Sequence, residues 1–252
     1  MDLNLTEKTA LVTGGSRGIG KAIAEGLLAE GVKVGICARG KEDLEKVKQE
    51  YDGISIYQGD LTDGDVREKI FKDFIVDHGS IDILVNNAGG SNGGSIEETS
   101  VDQFREAMEL NFHSAVHFSK LALQKMKEQK QGNIINISSI YGRESGGKPT
   151  YNSSKAALIS FTKALADEAI QNGIRVNGIA PGAILHPSGN WQKRLDENPE
   201  KINQFVKDEI PADRFGKVEE IADVVTFLAS ERASWVVGAT LNVDGGQSYS
   251  NS

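Results

Sequence analysis

"ALVTGGSRGIGKAIAEGL", residues 10–27, runs from an apolar stretch through a glycine-rich turn into an amphipathic segment. Gly14, Gly18 and Gly20 space that turn as G-x-x-x-G-x-G. Glycine lets the chain turn tightly and lets backbone approach a bound group without a Cβ clash. The start of the following helix offers free N–H groups and the positive end of the helix dipole, a setting suited to phosphate. A glycine turn alone can be purely structural. Its place directly between a predicted strand and a predicted helix points instead to a dinucleotide pyrophosphate.

Outward from this turn, short β-branched runs alternate with longer amphipathic stretches. The strand candidates are "KTALVT", "KVGICA", "ISIYQ", "DILVNN", "NIINIS", "IRVNGIA" and "TLNV". Helical stretches are predicted at 18–30, 101–129 and 152–172. The alternation reads as repeated βαβ units, and the near-continuous apolar strands imply a sheet covered on both faces. The expected fold is therefore α/β: one Rossmann-type, doubly wound parallel sheet of about seven strands, with 1–252 forming a single domain. Residues 183–210 break the rhythm with a polar, partly helical excursion. It reads either as a candidate substrate lid or as a mobile surface connection.

The chain has 252 residues, 38% hydrophobic and 25% charged, which suits a globular protein with a substantial core. Its formal net charge of −8 argues against nucleic acid or an anionic membrane as the main partner. Cys37 is the single cysteine, so no intramolecular disulfide framework exists; its apolar surroundings suggest a buried thiol. No secretory signal and no spanning apolar run is visible, so a cytoplasmic location is expected.

Further motifs follow in order: "NNAG" at 86–89, "NISS" at 136–139, Tyr151 with Lys155 in "YNSSK", "PG" at 181–182 and "VDGG" at 243–246. With Thr13–Gly20, this pattern resembles the short-chain dehydrogenase/reductase family over nearly the whole chain, and 3-oxoacyl-acyl-carrier-protein reductases within it. The resemblance implies cofactor contacts from Gly14, Ser16, Arg17, Gly18, Ile19 and Gly20, and from Asn87, Ala88 and Gly89. It also implies contacts from Asp60 and Leu61, from Tyr151 and Lys155, and from Pro181, Gly182 and Ile184. For Asp60 the alternative is a helix cap, a role assigned instead to Thr62 or Asp63.

The second strand ends "ICARGK", with Ala38 where an acid would favour NAD(H) and Arg39 after it. A guanidinium forms charge-assisted hydrogen bonds with a 2′-phosphate, and Arg17 can approach from the glycine turn. NADP(H) is therefore expected over NAD(H).

Tyr151 and Lys155, one helical turn apart, share a face. A nearby lysine cation lowers a tyrosine pKa and makes it a usable acid/base. A serine hydroxyl at the end of "NIINISS" would polarise a carbonyl. The resemblance implies Ser139 when the pattern NISSxxG is matched from the strand side, three residues before Gly142, and Ser138 when the family's usual spacing is counted back from the tyrosine. Ser139 is preferred because packing sets strand register while loops absorb deletions. By resemblance, Asn111 holds a water that links the lysine to solvent.

The expected activity is NADP(H)-dependent interconversion of a small ketone, 3-oxoacyl or other, and a secondary alcohol. The alternatives are a sugar or steroid alcohol dehydrogenase, or a binding-only sensor or scaffold. No metal site is expected: His113 and His117 lack an H-E-x-x-H context and read as helix packing or interface residues. Lys125, Lys127 and Lys130 form either a docking patch for an acidic carrier or a complement to a helix C-terminus. Arg143 and His186 hint at an anionic substrate group. The resemblance implies a homotetramer built on the two long central helices.

Overall fold

The computed structural model describes residues 2–250. Seven parallel strands form the central sheet: β1 (Thr9–Thr13), β2 (Lys33–Ala38), β3 (Ser55–Gln58), β4 (Ile83–Asn86), β5 (Gly132–Ile137), β6 (Ile174–Pro181) and one further strand, Thr240–Val243. Spatial order runs from β3 through β2, β1, β4, β5 and β6 to that last strand. The order reverses between β1 and β4, which opens a crevice at the strands' C-terminal ends. The chain is a single doubly wound α/β domain, and each predicted strand lies in this sheet.

Alternation along the strands assigns two cores, because successive side chains point to opposite faces. Ala10, Val12, Val34, Ile36, Ile83 and Val85 face one side and pack with α1 (Gly18–Ala29) and α2 (Lys41–Glu50). Leu11, Cys37, Leu84 and Ile134 face the other, against Phe74 of α3 (Gly64–His78). Asp63 caps α3, accepting from the Asp65 and Val66 N–H groups at 2.9 and 3.4 Å. Burial pushes the Cys37 thiol up to about 12, so it is an inert small hydrophobe.

The stretch predicted as one helix over 101–129 is interrupted. α4 (Val101–Met108) and α5 (Ser114–Gln129) are joined by a π turn at Glu109–His113. Hydrophobic periodicity cannot register one extra residue in a turn, so the sequence pattern concealed it. α6 (Pro149–Ala169) begins three residues earlier than expected, with Pro149 in the N-terminal position that tolerates its missing N–H.

After β6 the excursion folds as β7 (Ile184–Leu185), α7 (Asn190–Glu197) and α8 (Pro199–Glu209). β7 pairs in parallel with β8 (Gly216–Lys217), which leads into α9 (Val218–Ala229); the sheet's last strand, Thr240–Val243, is β9. Trp191 stacks on Phe205 at 4.7 Å and meets Phe215 at 5.4 Å, giving the excursion an apolar cluster of its own. Among the described residues, no helix is long and apolar enough to cross a membrane.

Candidate active site

A cleft of about 880 Å³ opens over the C-terminal ends of the strands. Every site residue expected from the sequence lines it, apart from Asp60 and Asn111.

Its floor is the turn between β1 and α1. Gly14 adopts φ +67°, and a Cβ on Gly20 would strike the Gly14 carbonyl and the Asn87 amide, so backbone fills that space. Asn87 Nδ2 donates to the carbonyls of Thr13 and Gly14 at 2.9 and 3.2 Å. Thr13 Oγ1 accepts from the N–H groups of Asn87 and Ala88, both at 3.0 Å. "NNAG" thus braces the glycine turn from the neighbouring strand. Arg17 and Arg39 line the cleft, while the ion pairs involving arginine use Arg67, Arg105 and Arg214. A bare glycine cradle, with two guanidinium groups beside it that form no ion pair among the described residues, fits a dinucleotide carrying an extra phosphate.

Asp60 turns away from this space. Its carboxylate accepts from the N–H and hydroxyl of Thr62 at 3.0 and 2.9 Å. Those bonds, with the Arg39 charge as a smaller cause, hold its carboxyl below the usual range. Leu61, next in sequence, does face the cleft.

β5 and α6 bring the reactive groups together. Ser139 caps a tight turn at Ile140–Gly142 by accepting from the Tyr141 N–H at 3.2 Å. Its hydroxyl also lies near enough to Tyr151 to pull that residue's pKa down. Ser138 instead donates to the Lys155 carbonyl at 3.1 Å, and its N–H bonds Ile179 in the adjacent strand. Lys155 is 3% exposed; its ammonium donates to the Ile137 carbonyl at 2.7 Å and sits 5.5 Å from the Tyr151 ring centroid.

The electrostatics differ from the expected pairing. Burial raises the Tyr151 pKa, outweighing the opposite pull of Ser139, and burial draws Lys155 down to about 8. Both groups share one desolvated wall, and each shifts toward its neutral form. Lys155 is directed at a backbone carbonyl under the ring rather than at the tyrosine oxygen.

Asn111 lies in the π turn and is 1% exposed. Its amide donates to the carbonyls of Gly90 and Ala107, both at 2.9 Å, and accepts from the Gly90 N–H at 2.9 Å. It therefore clamps the end of the "NNAG" loop. A Cβ on Gly89 would lie 2.7 Å from Asn111 Oδ1 and 3.3 Å from Lys155 Nζ, so the two side chains flank this loop.

Other side chains singled out in the sequence find partners away from the reacting groups. Arg143 does not face the cleft; it bonds Asn242 at 2.7 Å and the Thr240 carbonyl at 2.6 Å, tying its loop to β9. His186 lines the cleft but packs over Gly18, where burial and then Arg17 lower its pKa. His117 accepts from Arg67 Nε at 3.0 Å, and His113 packs edge-on against Phe112. Lys125 pairs with Glu128 at 3.1 Å. Tyr141, Trp191 and Arg194 line the cleft without having been singled out in the sequence. Their signal is tertiary, because the elements bearing them are remote in the chain.

Residues 8–198 match the family model described as short chain dehydrogenase. The chain belongs to the short-chain dehydrogenase family. It is 36% identical over 244 residues to acetoacetyl-CoA reductase of Shinella zoogloeoides, covering 96% of this chain and 99% of the relative. It is 36% identical over 253 residues to the 3-oxoacyl-(acyl-carrier-protein) reductase of Escherichia coli (strain K12), with coverages of 97% and 98%. L-sorbose reductase of Gluconobacter frateurii, solved with NADPH and L-sorbose, superposes with a TM-score of 0.93 at 32% identity, covering 99% and 100% of the two chains.

Proposed function

We propose that this family member is an NADP(H)-dependent oxidoreductase that interconverts a ketone and a secondary alcohol. The observation that carries the reading is the convergence of Ser139, Tyr151 and Lys155 beside a glycine cradle flanked by Arg17 and Arg39. NADPH, when bound, supplies the hydride. Arg17 and Arg39 would hold the 2′-phosphate, and the Gly14–Gly20 turn would hold the pyrophosphate. The Tyr151 hydroxyl gives its proton to the carbonyl oxygen as that oxygen becomes an alkoxide. Ser139 donates a second hydrogen bond to the same atom, and Lys155 places a cation where it favours the resulting tyrosinate. Asn111 fixes the loop that forms the wall behind Lys155, and residues 183–210 act as the substrate lid.

A 3-oxoacyl substrate is supported by the names of the Shinella and Escherichia relatives. A sugar ketone is the second reading, supported by the likeness to a sorbose reductase. A binding-only sensor would need the cradle but not the serine, tyrosine and lysine. Assembly as a homotetramer is part of the proposal: Trp235 is 97% exposed in the protomer, next to Gly238, which packs on α6. So is a cytoplasmic location, which accords with a single, buried cysteine. Light scattering at four times the protomer mass would support the tetramer.

The test of the reaction is Tyr151→Phe, with NADPH absorbance followed over a panel of ketones. Turnover should fall by about 10²–10⁴-fold while NADPH affinity stays within about twofold. Normal turnover in that variant would refute the mechanism.

A further inference from the structure

The cleft is basic inside an acidic protein. Among the described residues Arg17, Arg39, Lys148, Lys155 and Arg194 line it, against a single acid, Asp43, in a chain of net charge −8. Arg17 and Arg39 lie at the glycine turn and the end of β2, where the cofactor phosphates belong. Lys155 is committed to the Ile137 carbonyl. Lys148 and Arg194 remain, on the loop before α6 and on α7, with no cofactor role to explain them.

We infer that Arg194 recognises an anionic group on the substrate, and that the ketone this protein takes carries a carboxylate. The inference rests on the ketone-reductase reading and names for that site a keto acid, in place of the 3-oxoacyl or sugar ketone that the relatives' names support. Arg194 is exposed and rests on an aromatic shelf: its guanidinium carbon lies 5.0 Å from the Trp191 ring centroid, and Trp191 is itself packed against Phe205 and Phe215. A guanidinium braced this way keeps its planar fork of donors, the geometry that binds a carboxylate with two parallel hydrogen bonds.

Nearby acids are otherwise engaged. Asp196 accepts from Gln192 at 2.8 Å, and Glu197 lies 4.0 Å from Lys193. Glu144 accepts from the Ser248 hydroxyl and the Tyr249 N–H at 3.1 and 3.0 Å, and Glu209 accepts from the Tyr249 hydroxyl at 3.3 Å. Neither Glu144 nor Glu209 lines the cleft. Tyr141, Tyr151 and Arg194 line one and the same cleft. A substrate with its carbonyl at Tyr151 would pass Tyr141 and present its far end to Arg194.

The test compares 4-oxopentanoate with its methyl ester, two ketones that differ only in the charge at one end. Binding of each to the NADP⁺-loaded full chain is measured by calorimetry, so no turnover is required. The acid should bind about tenfold tighter than the ester, as a charge-assisted hydrogen bond allows. Arg194→Ala should erase that preference and leave NADP⁺ affinity unchanged, while Arg194→Lys should restore part of it. No binding of the acid, equal binding of acid and ester, or a preference that survives Arg194→Ala overturns the inference. Loss of NADP⁺ affinity in Arg194→Ala also overturns it, by moving the residue to the cofactor. Failure of either ketone to oxidise NADPH bears on the reductase reading alone.

Discussion

Lys155 is a cation buried against its own preference, and replacing it should stabilise the fold while disabling the site. Burial lowers its pKa from 10.5 to about 8, with no acid to offset the desolvation. That fall corresponds to about 3 kcal/mol, since tenfold in proton affinity is about 1.4 kcal/mol. The sign follows from linkage. Between pH 8 and 10.5 the unfolded chain holds the lysine proton more tightly than the folded one, so stability rises with pH across that window. Below pH 8 the penalty is present in full, and above 10.5 it is gone. Lys155→Met keeps most of the volume and removes the charge. It also removes the 2.7 Å bond to the Ile137 carbonyl, a loss of about 1 kcal/mol. The net expectation at pH 7 is a gain of about 2 kcal/mol, or roughly 4–8 °C in Tm for a domain of this size. The assay is thermal unfolding of both proteins without cofactor at pH 7 and pH 10. The gap should narrow at the higher pH, and the variant should lose NADPH-dependent turnover. A variant less stable than the parent at pH 7, or a gap independent of pH, would refute the reasoning.

Arg39→Asp places an acid where the 2′-phosphate is expected and removes a guanidinium. NADPH affinity should fall by about 10–100-fold and NADH affinity by far less, as measured by fluorescence titration; equal losses would reject the NADP(H) assignment. Ser139→Ala should lower kcat by about 10²–10³-fold if its hydroxyl faces the developing alkoxide. Ser138→Ala should act instead on stability, by about 1 kcal/mol through the lost bond to Lys155, with kcat little changed. A larger rate effect at Ser138 would exchange the two roles.

What the sequence disclosed follows from locality. Each strand could be read because a sheet covered on both faces demands a continuous apolar run, and the glycine turn because its chemistry lies within seven residues. The π turn was hidden, since the periodicity of 101–129 looks the same with one residue more or fewer in a turn. Trp191, Phe205 and Phe215 meet only after the excursion folds, so Arg194 carried no local signal. Arg143 misled for the converse reason: a lone cation near the site says nothing about direction, and β9 captures it.

The two serines show how far local reasoning reaches. The Ser138 N–H bonds the Ile179 carbonyl, which continues the β5–β6 ladder and leaves that residue no freedom to turn outward. Both serines line the cleft, but Ser139 is the first residue past the ladder, with φ −169° and ψ 154°, while the Ser138 hydroxyl is spent on the Lys155 carbonyl. The loop before Tyr151 is packed tightly: Gly146 presses against the Tyr141 ring and Gly147 against Asn152 Oδ1, so closely that a Cβ on either would require that neighbour to move. On this geometry it is Ser139 that neighbours the Tyr151 hydroxyl, and the paired serine substitutions test whether the chemistry follows the strand.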